Sequence, residues 1–273
     1  MSGEGRDGEG NREPSAAVGS AAVEGGREPS AAVGSAAEPA IAFESVTKRF
    51  GDATVLDGLT FTVRKGEVFV IIGPSGTGKS VALKHVVGLL EPDAGVVRTA
   101  SERIGYLFQS GALLAWMTVW DNVALPLVET TRLSESEIES RVRDALAAVG
   151  LADDADKYPS EISGGMQKRA GLARSIVREA DIILYDEPTS GLDPVTARAI
   201  DGLIARLNRT RGITSVIVTH DLAAALRLAD RILLLVDGKA AFCGTPAEFL
   251  ASKDPHVAEF VSAMKGESNE KTE

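Results

Sequence analysis

Short apolar runs recur along the chain from residue 41 onward: Ile41–Val46, Leu59–Val63, Glu67–Ile72, Arg103–Phe108, Ile182–Tyr185, Ser215–Thr219 and Ile232–Val236. Most are nearly continuous in apolar residues instead of alternating with polar ones. That pattern marks strands covered on both faces, as in a parallel sheet. A turn is predicted around Phe50–Asp52, between the first two strands. From about Gly111 to Glu179 the strand signal fades and two helices are well marked. Ser134 stands three residues before Glu137, the spacing of a capping box, and Ile138, Val142, Ala145, Leu146 and Val149 then share one apolar face. A second helix is predicted to begin near Ser163 and to turn Leu172, Ile176 and Val177 inward. The pattern predicts an α/β fold in which a helical segment, about residues 110–179, interrupts a parallel core.

Both ends differ from this middle. The stretch Arg12–Ala22 recurs word for word at Arg27–Ala37, and residues 1–39 carry seven acidic and three basic side chains but, past Met1, no large apolar one to anchor a core. Such a segment cannot offset its own ordering entropy, and a disordered, low-complexity acidic tail is expected there. Residues 40–250 read as one domain. Residues 251–273 are expected to form a helical cap, drawn from the Thr245–Met264 stretch, and then a polar tail from about Lys265.

The formal charge of -10 argues against broad binding to nucleic acid or to anionic lipid surfaces. Cys243 is the only cysteine, which excludes an intramolecular disulfide and a thiolate metal cluster. No apolar run approaches the ~20 residues that a membrane-spanning helix needs, and the first residues lack a signal-peptide core. Work at a membrane is therefore expected to proceed through a partner.

The chemistry begins at Gly73-Pro74-Ser75-Gly76-Thr77-Gly78-Lys79-Ser80, which fits the pattern G-x-x-x-x-G-K-S/T. It follows one predicted strand and precedes the helical stretch Val81–Leu89. Glycines let successive backbone N–H groups turn toward a polyphosphate, and the helix N-terminus adds favourable potential. Lys79 is expected to reach the β- and γ-phosphates and Ser80 to hold Mg²⁺. The strand Ile182–Tyr185 then runs into Asp186 and Glu187. Acids at the tip of an apolar strand imply a counter-ion or a catalytic task. Asp186 is expected to orient Mg²⁺ through its water shell, and Glu187 to polarise the attacking water as general base.

Ser163-Gly164-Gly165-Met166, followed by Asp186-Glu187-Pro188-Thr189-Ser190-Gly191-Leu192-Asp193-Pro194, resembles the signature and D-loop of ATP-binding cassette (ABC) ATPases. The resemblance spans roughly residues 40–250. It implies a P-loop core with an antiparallel β subdomain and an inserted α-helical subdomain. It further implies that Phe50 stacks on adenine, that the Q-loop glutamine Gln109 senses Mg²⁺ and water, and that the switch histidine His220 contacts the γ-phosphate. Ser163, Gly164 and Gly165 are implied to contact ATP held by a second copy of the chain, with Asp193 of the D-loop also at the nucleotide. The implied assembly is a homodimer that closes on ATP and Mg²⁺ and opens on hydrolysis, beneath a separate integral membrane permease. No nucleic-acid partner is implied.

Met166 stands where glutamine is usual and Ile162 where leucine is common. With the run from Phe108 to Leu114 and on through Met117–Leu127, these departures resemble the ATPases of Mce-associated lipid transporters. That branch implies lipid movement across the envelope, Mce-type substrate-binding proteins and a peripheral position on the cytoplasmic face of the inner membrane. Lipoprotein release, small-solute import and division-type complexes are the alternative ABC branches. The segment Leu113–Trp120 is apolar for a stretch just past an active-site loop, and suits either internal packing or a groove for a permease helix.

Overall fold

The computed structural model describes residues 38–270, with side chains described through Ala263. Residues 1–37, which hold most of the expected acidic tail, and residues 271–273 lie outside the described residues.

Among the described residues, nine strands and eight α-helices follow one another as β1 (Ile41–Phe50), β2 (Ala53–Val63), β3 (Val68–Ile72), α1 (Lys79–Val86), β4 (Ala94–Thr99), β5 (Ile104–Leu107), α2 (Val119–Thr130), α3 (Glu135–Ala148), α4 (Gly164–Ile176), β6 (Ile182–Asp186), α5 (Pro194–Arg211), β7 (Thr214–Val218), α6 (Leu222–Leu228), β8 (Arg231–Val236), β9 (Lys239–Gly244), α7 (Pro246–Ala251) and α8 (Pro255–Glu270). The main sheet has the order β5-β6-β7-β3-β8-β9. Its first five strands are parallel, and β9 closes the edge antiparallel to β8. A second, antiparallel sheet of order β2-β1-β4 packs beside it.

Continuous apolar strands are explained by two cores. Val70, Ile72, Ile183, Tyr185, Ile217 and Leu234 face a layer formed by α2, α3, α4, α5, α7 and α8. Their sequence neighbours Phe69, Ile71, Leu184, Val216, Val218 and Leu235 face α1 and the antiparallel sheet. Successive side chains on a strand point to opposite faces, so both sets must be apolar when both faces are covered. Phe43 stacks on Phe61 at 4.4 Å and Phe61 on Phe69 at 5.4 Å, tying the two sheets together.

The helical insertion lies between β5 and β6 and holds three helices, one more than the sequence pattern predicts. The additional one is α2. Pro126 lies inside it and removes a backbone donor, a feature that normally argues against a helix interior. Tertiary burial overrides this: Val119, Val123, Ala124 and Leu127 enter the core, and Thr118 and Asp121 form a complete capping box at the start. The capping box of α3 is present at Ser134 and Glu137 as predicted. β4 and β9 are also additional. β4 is mostly exposed and contains Gly95 at φ 81°, and β9 is a partly exposed edge strand, so neither carries an apolar signal. The last helix continues to Glu270, past Lys265 where the composition turns polar. No described helix is long and apolar enough to cross a membrane.

Candidate functional site

β3 lies near the middle of the parallel sheet, between β7 and β8, and the chain leaves its carboxyl end as the phosphate loop. The carboxyl ends of β6 and β7 open onto the same crevice, where ligands of open α/β sheets bind. Side chains with chemistry therefore arrive from three neighbouring strand ends.

Two glycines of the loop are sterically required. A Cβ on Gly73, whose φ is 152°, would collide with the Leu235 carbonyl oxygen. A Cβ on Gly78, at φ 96°, would lie 2.9 Å from the Val55 carbonyl oxygen. Thr77 Oγ1 donates to the Pro74 carbonyl at 2.9 Å and braces the loop. Lys79, the first residue of α1, folds its buried Nζ back onto the carbonyls of Gly73 at 2.8 Å and Pro74 at 2.7 Å. Burial lowers the Lys79 pKa, while Glu187 and Asp186 oppose that shift.

Ser80 Oγ donates to Asp186 Oδ1 at 2.7 Å. The other oxygen, Oδ2, accepts from the Tyr106 hydroxyl at 3.1 Å. Burial, and then the Asp186 charge, push the Tyr106 phenol upward, so it remains a donor. Glu187 follows in a left-handed conformation, φ 49°, which is uncommon for a residue with a Cβ. Its N–H donates to the Val218 carbonyl at 2.9 Å, and its Oε2 lies 2.9 Å from His220 Nδ1. Gln109 Nε2 reaches Ser190 Oγ at 3.4 Å. A cleft of about 530 Å³ is lined by Phe50, Ser75, Gly76, Gly78, Lys79, Ser80, Gln109, Glu187 and His220. Phe50 is 48% exposed at its rim.

Ser163, Gly164 and Gly165 are not in that cleft. Ser163 caps α4 and accepts the Met166 N–H at 3.3 Å. With Gly165 and Met166 it lines a different cleft of about 500 Å³, beside Val195 and Thr196 of α5. A Cβ on Gly165 would strike Thr196 Cγ2, so this glycine is what lets α4 and α5 meet. Asp193, expected at the nucleotide, directs its carboxylate into its own helix. It accepts the N–H groups of Val195 at 2.9 Å and Thr196 at 3.0 Å, and hydrogen bonding to Thr196 holds its pKa low.

Three further residues organise this site without having been singled out for it by the sequence. Lys168 is buried and donates to the carbonyls of Gln109 and, at 3.3 Å, Glu187. Burial lowers its pKa, opposed by Glu187 and Asp186. Arg174 holds the carbonyls of Ala112 at 2.7 Å and Gly111 at 2.9 Å, fixing the chain just after Gln109. Tyr106 is the third. The signal available for it was a hydroxyl-bearing ring within an otherwise apolar strand. The apolar segment Leu113–Trp120 divides between its two readings: Leu113 and Trp120 pack on the core, and Trp116 is 73% exposed.

The ABC transporter family model matches residues 56–190. Over 253 residues the chain is 41% identical to a probable ribonucleotide transport ATP-binding protein, Mkl, of Mycobacterium tuberculosis; the match covers 86% of this chain and 70% of that protein. It is 40% identical over 244 residues to MlaF, the intermembrane phospholipid transport system ATP-binding protein of Haemophilus influenzae, covering 84% of this chain and 91% of the relative. Among solved structures, the dimeric ATP-binding cassette MJ0796 bound to ADP and phosphate superposes with a TM-score of 0.69 and 32% identity, over 76% of this chain and 98% of that one. The parallel core with its phosphate loop, antiparallel sheet and helical insertion is thus an ABC ATPase fold. The chain belongs to the ABC transporter family, as an ATP-binding and ATP-hydrolysing subunit.

Proposed function

We propose that the chain is one half of a two-fold dimer that closes on two ATP molecules and powers lipid transport through a separate membrane permease. The observation that carries the dimer is the separation of the two clefts: the phosphate loop, Glu187, Gln109 and His220 share one, while Ser163 and Gly165 line the other. A signature helix that lines a different cleft from its own phosphate loop can serve that of a symmetry-related copy, which is how an isologous interface exchanges groups. ATP then gains a second set of donors only in the closed dimer, and its differential affinity shifts the population toward closure.

In this reading Phe50 takes the adenine, and the backbone of Gly73, Pro74, Ser75, Gly76, Thr77 and Gly78 cradles the phosphates. Lys79 exchanges its two carbonyl partners for phosphate oxygens. The residues fit Mg²⁺: Ser80 and Asp186 are already hydrogen-bonded to one another at the head of α1, and Gln109 opens onto the same cleft. When bound, Mg²⁺ supplies charge neutralisation for the phosphates. Glu187 Oε2 takes the proton of the attacking water, with His220 holding that carboxylate and facing the γ-phosphate. From the partner copy, Ser163, Gly164 and Gly165 approach that phosphate. Asp193 acts on the nucleotide through the α5 start that it caps.

The lipid cargo is supported by the likeness to MlaF and by the Met166 signature. The same likeness supports Mce-type substrate-binding proteins as partners and a peripheral place on the cytoplasmic face of the inner membrane. Residues 40–250 are the working cassette, with residues 1–39 an acidic tail and residues 251–273 a C-terminal cap with its tail. Mixing a Ser163→Arg copy with a Lys79→Ala copy tests the shared site. Hydrolysis above that of either defective homodimer is expected, and none above it removes the dimer. Mass spectrometry of molecules held by the purified native complex tests the cargo: bound lipid is expected, and ribonucleotide cargo without lipid removes this branch.

A further inference from the structure

We infer that Tyr106 is a positioning residue for the metal-facing carboxylate of Asp186. The inference rests on the proposal that Ser80 and Asp186 hold Mg²⁺, and adds to it the residue that sets the carboxylate plane. Asp186 ends β6 and is largely buried, and each of its oxygens accepts a side-chain hydrogen bond. Oδ1 is taken by Ser80 from the start of α1, at 2.7 Å. Oδ2 is taken by Tyr106 from the adjacent strand β5, at 3.1 Å. Two donors from two different elements leave the carboxylate no free rotation. With Ser80 alone, it could turn about its Cβ–Cγ bond and withdraw the oxygen that faces the metal's water shell. Outer partners of this kind orient the groups that meet a metal.

The backbone fixes where that hydroxyl lies. Tyr106 pairs with Leu184, two residues before Asp186, so both polar side chains emerge on the face toward α1. The Tyr106 ring packs tilted against Phe108, with centroids 4.3 Å apart. Gln109 follows directly, so the strand that supplies the hydroxyl also delivers the glutamine to the cleft.

The test uses the full chain, Mn²⁺ as the spectroscopic substitute for Mg²⁺, and the non-hydrolysable analogue AMP-PNP. Tyr106→Phe deletes one oxygen and keeps the ring that packs on Phe108. Electron paramagnetic resonance titration is expected to show Mn²⁺ binding weakened about tenfold, the lower end of what losing an outer-shell partner costs. AMP-PNP affinity in EDTA and the thermal midpoint should stay at wild-type values, which a general packing defect would not allow. Phe108→Leu, which disturbs the same ring pair but leaves the hydroxyl, should leave Mn²⁺ affinity unchanged. A Tyr106→Phe affinity within twofold of wild type, or an equal loss in Phe108→Leu, overturns the inference. Asp186→Asn separates the two levels: if it too leaves Mn²⁺ binding intact, the metal reading itself has failed and the positioning role goes with it.

Discussion

His220 Nδ1 lies 2.9 Å from Glu187 Oε2, a contact that joins the ends of β7 and β6 across the floor of the nucleotide cleft. The Glu187 side chain is only 14% exposed, and its left-handed backbone is held by the bond to the Val218 carbonyl. The carboxylate is thus fixed in direction before any substrate arrives.

Glu187→Gln keeps the shape and removes the carboxylate proposed as the base. Turnover is expected to fall by about 10²- to 10⁴-fold, the usual contribution of a positioned general base. ATP binding and ATP-dependent dimerisation should persist. Phosphate release and size-exclusion chromatography with ATP check both halves; near-normal turnover would remove Glu187 from the role.

Lys79→Ala should weaken ATP by at least about tenfold, since hydrogen bonds to charged groups contribute roughly 1.5–3 kcal/mol each. The fold should tolerate the change, because the ammonium now contacts only two loop carbonyls. A fluorescent-nucleotide titration reads the affinity, and unchanged binding would contradict the phosphate-loop reading.

Gly165→Ala would force a methyl into Thr196 Cγ2. Overpacking of this kind costs roughly 1–3 kcal/mol, which urea unfolding can resolve. Thr196→Ser removes the opposing methyl and keeps the hydroxyl that bonds Asp193. The double variant should therefore recover most of the loss. Simple additivity of the two changes would mean that the clash is elsewhere.

Acid should weaken one surface bond in a defined direction. Arg103 first, then Ser101, hold the Asp181 carboxyl below its ordinary value. A depressed carboxyl stabilises the fold above its unfolded pKa, about 4, and loses that contribution as pH falls through the folded value. Exposure limits the effect to below about 1 kcal/mol. Arg103→Gln should lower the neutral plateau of the melting-temperature profile slightly and leave its acid end unchanged, which flattens the limb between them; an unaltered profile would show that the pair is fully screened.

Much of this molecule is legible in its sequence where side chains and local backbone demand the same thing. Strands buried on both faces show as unbroken apolar runs, and the glycines of the phosphate loop are there because a Cβ at Gly73 or Gly78 has no room. Helix α2 was hidden because Pro126 speaks against a helix while burial of Val123 and Leu127 speaks for it, and only the folded core shows which wins. The edge strands β4 and β9 have no apolar pattern to read, since their pairing is set by backbone bonds to β1 and β8. Within the site, Asp193 illustrates a different limit. Its place at the nucleotide was implied by the D-loop resemblance, while its role as the cap of α5 shows only in the folded chain. Tyr106, Lys168 and Arg174 act through contacts across long sequence separations, which no local pattern encodes.

The ammonium of Lys168 is shared between the backbone of Gln109 and that of Glu187, one at the gateway to the three-helix insertion and the other at the carboxylate proposed as general base. A single buried cation gripping two chain segments acts as a rivet. Tilting the helical lobe would therefore strain the backbone at Gln109 and at Glu187 together, because the side chain that grips both belongs to that lobe.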